Sequence, residues 1–404
     1  MAVEQVVRSW SERFAARMRG EASAGLADIL AMSGDTDLVS FAGGFPDPAT
    51  FPGPELAEVL GAIIASGDAS AFQYAPTPGL PGMRALVTAR LAADGRAPQD
   101  DELVITSGAI EALELLGKTF LDAGDVVAVE SPTYLGAIMA ARGFEAEVAG
   151  VPMDGDGLDV DVLRDLLNGS RPPKLLYTIP DHQNPAGVSL SDERRAALVE
   201  LARRHGLLIV EDVAYRELGF DGRKRPSLWS AAPDVVAQIG TFSKTFFPGV
   251  RLGWAAGPPQ VIARLVLAKQ NTDQCAGALG QRLLEEWARA DRLDPSIAAA
   301  RRLYARRWSL LGSALAERMP EGVTWTRPEG GFFTWLSLPA GTDSAALARS
   351  AIAAGVAVVP GGPFFPDGDG RGHLRLAFSR VDDDTIPGGV DRLAGAIASA
   401  ASRD

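Results

Sequence analysis

"LVITSGAIEALELLGKTFLDAGDVVAVE", residues 103–130, reads as strand, helix, strand. Its two ends are short apolar runs without alternation, the pattern of strands buried on both faces. Between them Ile110, Leu113, Leu116 and Phe120 recur at helical spacing. The same alternation continues downstream. "AEVAG", "LLYTI", "LLIVED", "AQIGTFS" and "LGWAAG" read as strands, with helical stretches such as "YLGAIMAARG" and "SDERRAALVELARRHG" between them. The last of these is sharply bounded, with Ser191 as N-cap, acids in its first turn, bases in its last and Gly206 beyond it. Buried strands separated by helices predict an α/β fold with a mostly parallel central sheet flanked by helices. Past Asp294 the style changes. A long helical stretch ends near Pro320, and strand-like pieces follow around Gly- and Pro-rich turns. This predicts a large domain over 51–294 and a smaller α+β domain built from 1–50 and 295–404.

The bulk numbers narrow the function. With 404 residues, 47% of them apolar, the chain can bury a large core. A net charge of −12 disfavours a nucleic-acid partner, whose usual footprint is a basic surface. The single cysteine, Cys275, allows no internal disulfide, and His182, His205 and His373 lack metal-ligand spacing, so no metal site is expected. No apolar run approaches the ~18 residues of a membrane span. The opening "MAVEQVVRSWSERFAARM" mixes acids with arginines and has no apolar core of a secretory signal. The expectation is a surface helix on a cytoplasmic protein.

Lysine is scarce: Lys118, Lys174, Lys224, Lys244 and Lys269 stand against 34 arginines. One of them sits in "GTFSKTFFPGVRLGW" (240–254), between a serine and a threonine at the end of an apolar strand. A solvated charge in this chain would be arginine. An amine, unlike a guanidinium, can lose its proton and form a Schiff base.

Functional groups of parallel sheets gather at the carboxyl ends of the strands. Ser107-Gly108-Ala109 opens a helix after "LVIT", a geometry suited to phosphate. Asn184 follows "LLYTI", Asp212 and Tyr215 follow "LLIV", and Thr241, Ser243, Lys244 and Arg251 follow "AQIG". Taken singly these are caps and turns. Their convergence at successive strand ends points to a site.

These residues also carry a resemblance. "SFAGGFPDPATFP", "YAPTPGLPGMR", "TSGAIEAL", "ESPTY", "DHQNPAG", "VEDVAYREL", "GTFSKTFFPGVRLGW", "PEGGFFTW" and "LRLAFS" resemble, in order and spacing, the fold type I pyridoxal 5′-phosphate (PLP) enzymes of the class I/II aminotransferase family. The chain is most similar to the 2-aminoadipate aminotransferase group and to the aminotransferase-like domain of MocR-type proteins. The resemblance implies PLP as cofactor and Lys244 as the Schiff-base lysine and later general base. It implies Asp212 on the pyridine nitrogen, Tyr215 and Asn184 on the ring's phenolic oxygen, and Tyr134 stacked on the ring. Ser107, Gly108, Ala109, Thr241, Ser243 and Arg251 would hold the phosphate. Arg375 would grip the substrate α-carboxylate, with Gly44 and Asn184 nearby. Tyr74 resembles a tyrosine lent across a dimer interface to the neighbouring phosphate, so a homodimer with composite sites is implied.

The likeness thins at the substrate's far end. Where 2-aminoadipate enzymes carry an arginine in a stretch like "SAIRE", this chain has "ASAGLADIL" (22–30), with Leu26 and Ala27 at that point. Arg13, Arg17 and Arg19 stand nearby without matching spacing. Phe45, with Phe14, Phe364 and Phe365, suggests an apolar or aromatic donor, and a 2-oxo acid such as 2-oxoglutarate is the acceptor the resemblance implies. Alternatives stay open: elimination, decarboxylation or oxidation from the same Schiff base, or a PLP sensor without catalysis. Some forty residues before the resemblance are too few for a DNA-binding domain. His182 is expected beside the site, His205 as a helix-end charge and Cys275 as packing. Lys269, Asn271, Asp273 and Gln274 face either an interface, the substrate or solvent.

Overall fold

The computed structural model describes residues 10, 13–18 and 38–401. "ASAGLADIL" and Arg19, and most of the opening stretch, lie outside the described residues. In chain order the strands are β1 (Val39–Ser40), β2 (Leu103–Thr106), β3 (Val126–Ser131), β4 (Glu147–Asp154), β5 (Gly157–Leu158), β6 (Leu175–Thr178) and β7 (Leu208–Asp212). They continue as β8 (Val236–Thr241), β9 (Gly253–Ala256), β10 (Thr324–Trp325), β11 (Phe333–Ser337), β12 (Val356–Ala357), β13 (Val359–Pro360) and β14 (His373–Ala377).

Eight of them form one sheet in the order β2-β9-β8-β7-β6-β3-β4-β5. β8, β7, β6, β3 and β4 run parallel, while β9 is antiparallel to both its neighbours. β2 therefore ends on the same edge as β8. Burial explains the sequence pattern. β2, β6 and β8 are buried along their whole length. Alternate residues of β2 serve opposite faces, Val104 joining one apolar cluster and Leu103 and Ile105 the other. β4 departs from the expected form: it is longer, and half of its residues are exposed. Only the two-residue β5 lies beyond it, so it behaves as an edge strand with one face in water. The helix after β6 spans Asp192–His205. Its cap is as expected, with Ser191 accepting the Arg194 N–H and Gly206 left-handed at φ 66°.

The second sheet is antiparallel, β10-β11-β14-β13, and β1 pairs in parallel with β12, Val39 opposite Val356. Early and late parts of the chain thus share one body, linked to the large sheet by the long helix Leu293–Arg318. The apolar cluster containing Val104 continues through Tyr304, Leu311 and Phe332 to Leu336 and Leu374. Among the described residues, no helix is long and apolar enough to cross a membrane.

One glycine makes the site edge possible. Gly253 lies opposite both Thr106 and Thr241 in the sheet. A Cβ there would come within 2.4 Å of the Gly240 carbonyl and 2.9 Å of the Gly108 backbone. Gly253→Ala is therefore expected to destabilise the fold by about 3 kcal/mol in denaturant unfolding, since rigid backbone rather than a flexible side chain must yield.

Candidate active site

A cavity of about 270 Å³ opens at the carboxyl edge of the large sheet. Gly44, Ala109, Tyr134, Asn184, Asp212, Tyr215, Thr241, Ser243, Lys244, Arg251 and Arg375 all line it. Most of the residues singled out in the sequence are therefore brought to one place, from β2, β3, β6, β7, β8 and the small sheet.

Lys244 follows β8, and its Nζ donates to the Gly44 carbonyl at 3.2 Å. It also lies 5.7 Å from the Phe332 ring centroid and 6.0 Å from that of Tyr215. Burial, with Arg375 and Arg251 nearby, lowers its pKa to about 8, against a smaller upward pull from Asp212. Asp212 ends β7 and is buried. Desolvation raises its carboxyl to about 6, although Tyr177 and the Ala214 N–H, both donating to it, favour the ionised form.

The anion cradle is built where β2 and β8 end. Gly108 has φ 97° and starts the helix Ala109–Phe120 with no side-chain cap. Arg251, itself left-handed at φ 52°, donates through Nη1 to Ser243 Oγ at 3.3 Å and through Nη2 to the Ser107 carbonyl at 3.2 Å. A Cβ on Gly108 would come 2.7 Å from Arg251 Nη2, so only glycine lets the guanidinium close over the turn. Thr241 Oγ1 lies 2.9 Å from Ser243 Oγ and accepts the Ser243 N–H.

Arg375 projects from β14. Its Nη1 donates to Asn184 Oδ1 at 3.1 Å and its Nη2 to the Ala42 carbonyl at 2.7 Å, while its buried Nε has no partner among the described residues. The rings of Phe333 and Phe364 lie 4.5 and 4.8 Å from its Cζ. This desolvation lowers its pKa to about 10, with Tyr215 and Tyr134 pulling the other way. Burial pushes the Tyr215 phenol up, and Asn184 is its hydrogen-bond neighbour.

Other expectations fall elsewhere. Tyr74 is 78% exposed and does not line the cavity. Arg13, Arg17 and Phe14 are exposed and also lie away from it. Phe45 and Phe364 line the cavity, whereas Phe365 packs on Trp335 and His373. His182, at φ 53°, does not line the cavity; its ring packs against Gly219 and Gly330, where an added Cβ would meet it at 3.2 and 2.5 Å. His205 closes the Asp192–His205 helix, and Cys275 is half-buried against an apolar cluster.

Sequence reasoning missed Tyr177, whose hydroxyl donates to Asp212 Oδ2 at 2.8 Å in the buried interior. It also missed Glu130, at the end of β3, which accepts from Thr178 Oγ1, the Ile179 N–H and Gln183 Nε2 and so holds the loop that carries Asn184. Burial raises that carboxyl to about 7.

An amine, a carboxylate and two guanidinium groups face one cavity, a set able to bind anions and to exchange a proton at an amine. Residues 42–393 match the family described as aminotransferase class I and II, and the chain belongs to that family. It is 36% identical to the aromatic-amino-acid aminotransferase 1 of Thermococcus litoralis, over 97% of this chain and 95% of that one. It is 37% identical to the 2-aminoadipate transaminase of Thermus thermophilus, over 96% and 97%. The solved kynurenine aminotransferase of Pyrococcus horikoshii superposes with a TM-score of 0.91 at 37% identity, over 96% of this chain and 98% of that one.

The charge balance around Lys244 is testable in the ligand-free chain through the pH dependence of amine acylation. Half-maximal reactivity is expected near pH 8. Asp212→Asn removes the group that favours the ammonium and should move the midpoint lower. Arg375→Leu removes a repelling cation and should move it higher.

Proposed function

We propose that the chain, an aminotransferase by family, uses PLP to move the amino group of an apolar or aromatic L-α-amino acid to a 2-oxo acid such as 2-oxoglutarate, as a cytoplasmic homodimer. The observation that carries this reading is Lys244, an amine brought to about pH 8 in the same cavity as Asp212 and Arg375.

The residues present fit the cofactor. The uncapped helix start at Gly108 and the Arg251 guanidinium closed over it make a phosphate cradle. The Arg375 Nε, unpartnered among the described residues, suits a further anion. Ser107, Gly108, Ala109, Thr241, Ser243 and Arg251 are the groups to hold the phosphate, with Tyr74 of a second copy reaching it across a dimer. Tyr134 is assigned to the ring face, Asn184 and Tyr215 to its phenolic oxygen, Asp212 to its nitrogen and Lys244 to its aldehyde. When bound, PLP supplies a carbonyl that takes up an amino group and a ring that accepts electron density from the substrate Cα.

The chain's own groups do the rest. The Arg375 fork binds the α-carboxylate, its plane fixed between Phe333 and Phe364. Lys244 Nζ, with a substantial neutral fraction near pH 8, would take the proton from the substrate Cα and deliver it to the carbon that had carried the cofactor's aldehyde oxygen. Asp212, whose carboxyl burial raises to about 6 in the ligand-free chain, would as an anion hold a proton on the cofactor's ring nitrogen. Phe45, Ile110, Leu113, Leu135, Ile179, Phe333 and Phe364 wall the cavity, which supports an apolar or aromatic side chain. The domain division at 51–294, against 1–50 with 295–404, belongs to the same proposal. It is supported by the β1–β12 pairing and by a large sheet contained within residues 103–256.

The reading is tested by loading the protein with PLP and adding single amino acids without any oxo acid. Pyridoxamine phosphate should form fastest with aromatic or branched donors; its absence with every donor would sink transamination. In the same assay Tyr177→Phe should move the acid limb of the rate–pH profile upward. The lost hydrogen bond favours ionised Asp212, so its carboxyl would titrate above about 6.

A further inference from the structure

Lys269 is fully buried near the end of the helix Pro259–Gln270, and the reaction just described does not use it. Its Nζ lies 2.8 Å from both carboxylate oxygens of Glu111, and 2.8 and 2.9 Å from those of Asp273. Each carboxylate has a second task. Glu111 Oε2 accepts the Ser107 N–H at 2.5 Å, and Asp273 Oδ2 accepts the Ser107 hydroxyl at 2.8 Å. The Ser107 carbonyl is taken by Arg251. All three polar groups of Ser107 are therefore held, immediately before the turn at Gly108 and Ala109.

Two carboxylates this close to an anion cradle would repel a phosphate and each other. A single buried ammonium between them offsets one charge and fixes both side chains. Lys269 places a compact ammonium with three donors in contact with all four carboxylate oxygens at 2.8–2.9 Å.

We propose that Lys269 is a positioning residue for the cofactor phosphate: through Glu111 and Asp273 it fixes Ser107, and through Ser107 it aims the N–H groups of the 108–109 turn and Arg251 at the phosphate. The inference rests on the PLP reading given above. It differs from a structural stitch between the helices 259–270 and 109–120, which would affect unfolding but not discriminate between ligands with and without a phosphate.

The experiment compares the affinities of PLP and of pyridoxal, which lacks the phosphate, for the wild-type chain and for variants, alongside thermal unfolding. In Lys269→Met the PLP affinity should fall about tenfold or more while that for pyridoxal is unchanged. Asp273→Ala supplies a test of sign that does not depend on Lys269→Met folding, since the Asp273 side chain is 30% exposed. Removing a negative charge near the phosphate would by Coulomb's law tighten PLP. The loss of the Ser107 clamp should instead weaken it several-fold, and Asp273→Asn, which keeps an acceptor oxygen, should restore it. Equal losses for both ligands, unchanged PLP affinity, or tighter PLP binding in Asp273→Ala would each overturn the proposal. A wild-type chain that binds PLP no better than pyridoxal would overturn the PLP reading instead.

Discussion

Among the described residues three cations face one small cavity, and a single carboxylate faces them. Lys244, Arg251 and Arg375 share the space with Asp212; desolvation first, and the neighbouring Arg375 and Arg251 charges after it, lower the Lys244 pKa, while desolvation lowers that of Arg375. Repulsion and desolvation act together on Lys244, so the amine is reactive near neutral pH without a dedicated base beside it. The excess of positive charge makes the cavity a trap for anions. A phosphate at one end and a carboxylate at the other would relieve a charge imbalance that the fold maintains through backbone carbonyls and aromatic faces: Gly44 for the lysine, Ala42, Phe333 and Phe364 for Arg375.

Much of this was legible in the sequence because strand ends are. A continuous apolar run marks a doubly buried strand, and the polar residue that follows lies on the sheet's functional edge; Ser107, Asp212 and Thr241 were found this way. Lys244 stood out because the chain otherwise prefers arginine. Partners across strands left no such mark. Tyr177 meets Asp212 only because β6 lies beside β7, with Tyr177 opposite Val210, a register that no local pattern encodes. Lys269 and Glu111 are 158 positions apart, and nothing in either segment announces the other. β4 was under-read for the opposite reason, because an edge strand with a wet face loses the apolar run that identifies its neighbours.

Buried ion networks tie the site's supports together. Asp181 bridges Arg195 and Arg216, and Arg216 continues to Asp94 and from there to Lys224 and Glu217. Arg216 directly follows Tyr215, and Asp181 stands three residues before Asn184. The two residues assigned to the ring's phenolic oxygen are thus braced by one set of charges. Such networks are costly to desolvate and weak evidence of stability, but they tolerate few alternative arrangements.

The small sheet carries Phe333 on β11 and Arg375 on the adjacent β14, where Arg375 lies opposite Trp335. Phe333, one wall of the cavity, and Arg375, proposed to grip the α-carboxylate, therefore belong to one hydrogen-bonded unit. Lys244, Asp212 and the phosphate turn belong to the other sheet. On the proposed reading, the grip on the substrate carboxylate and the conversion of the amine would sit on two sheets joined by a shared apolar core. On that reading, changes on β11 or in the 361–365 turn would retune which amino acid is admitted while leaving Lys244 and Asp212 as they are, a division of labour that would let one chemistry serve many donors.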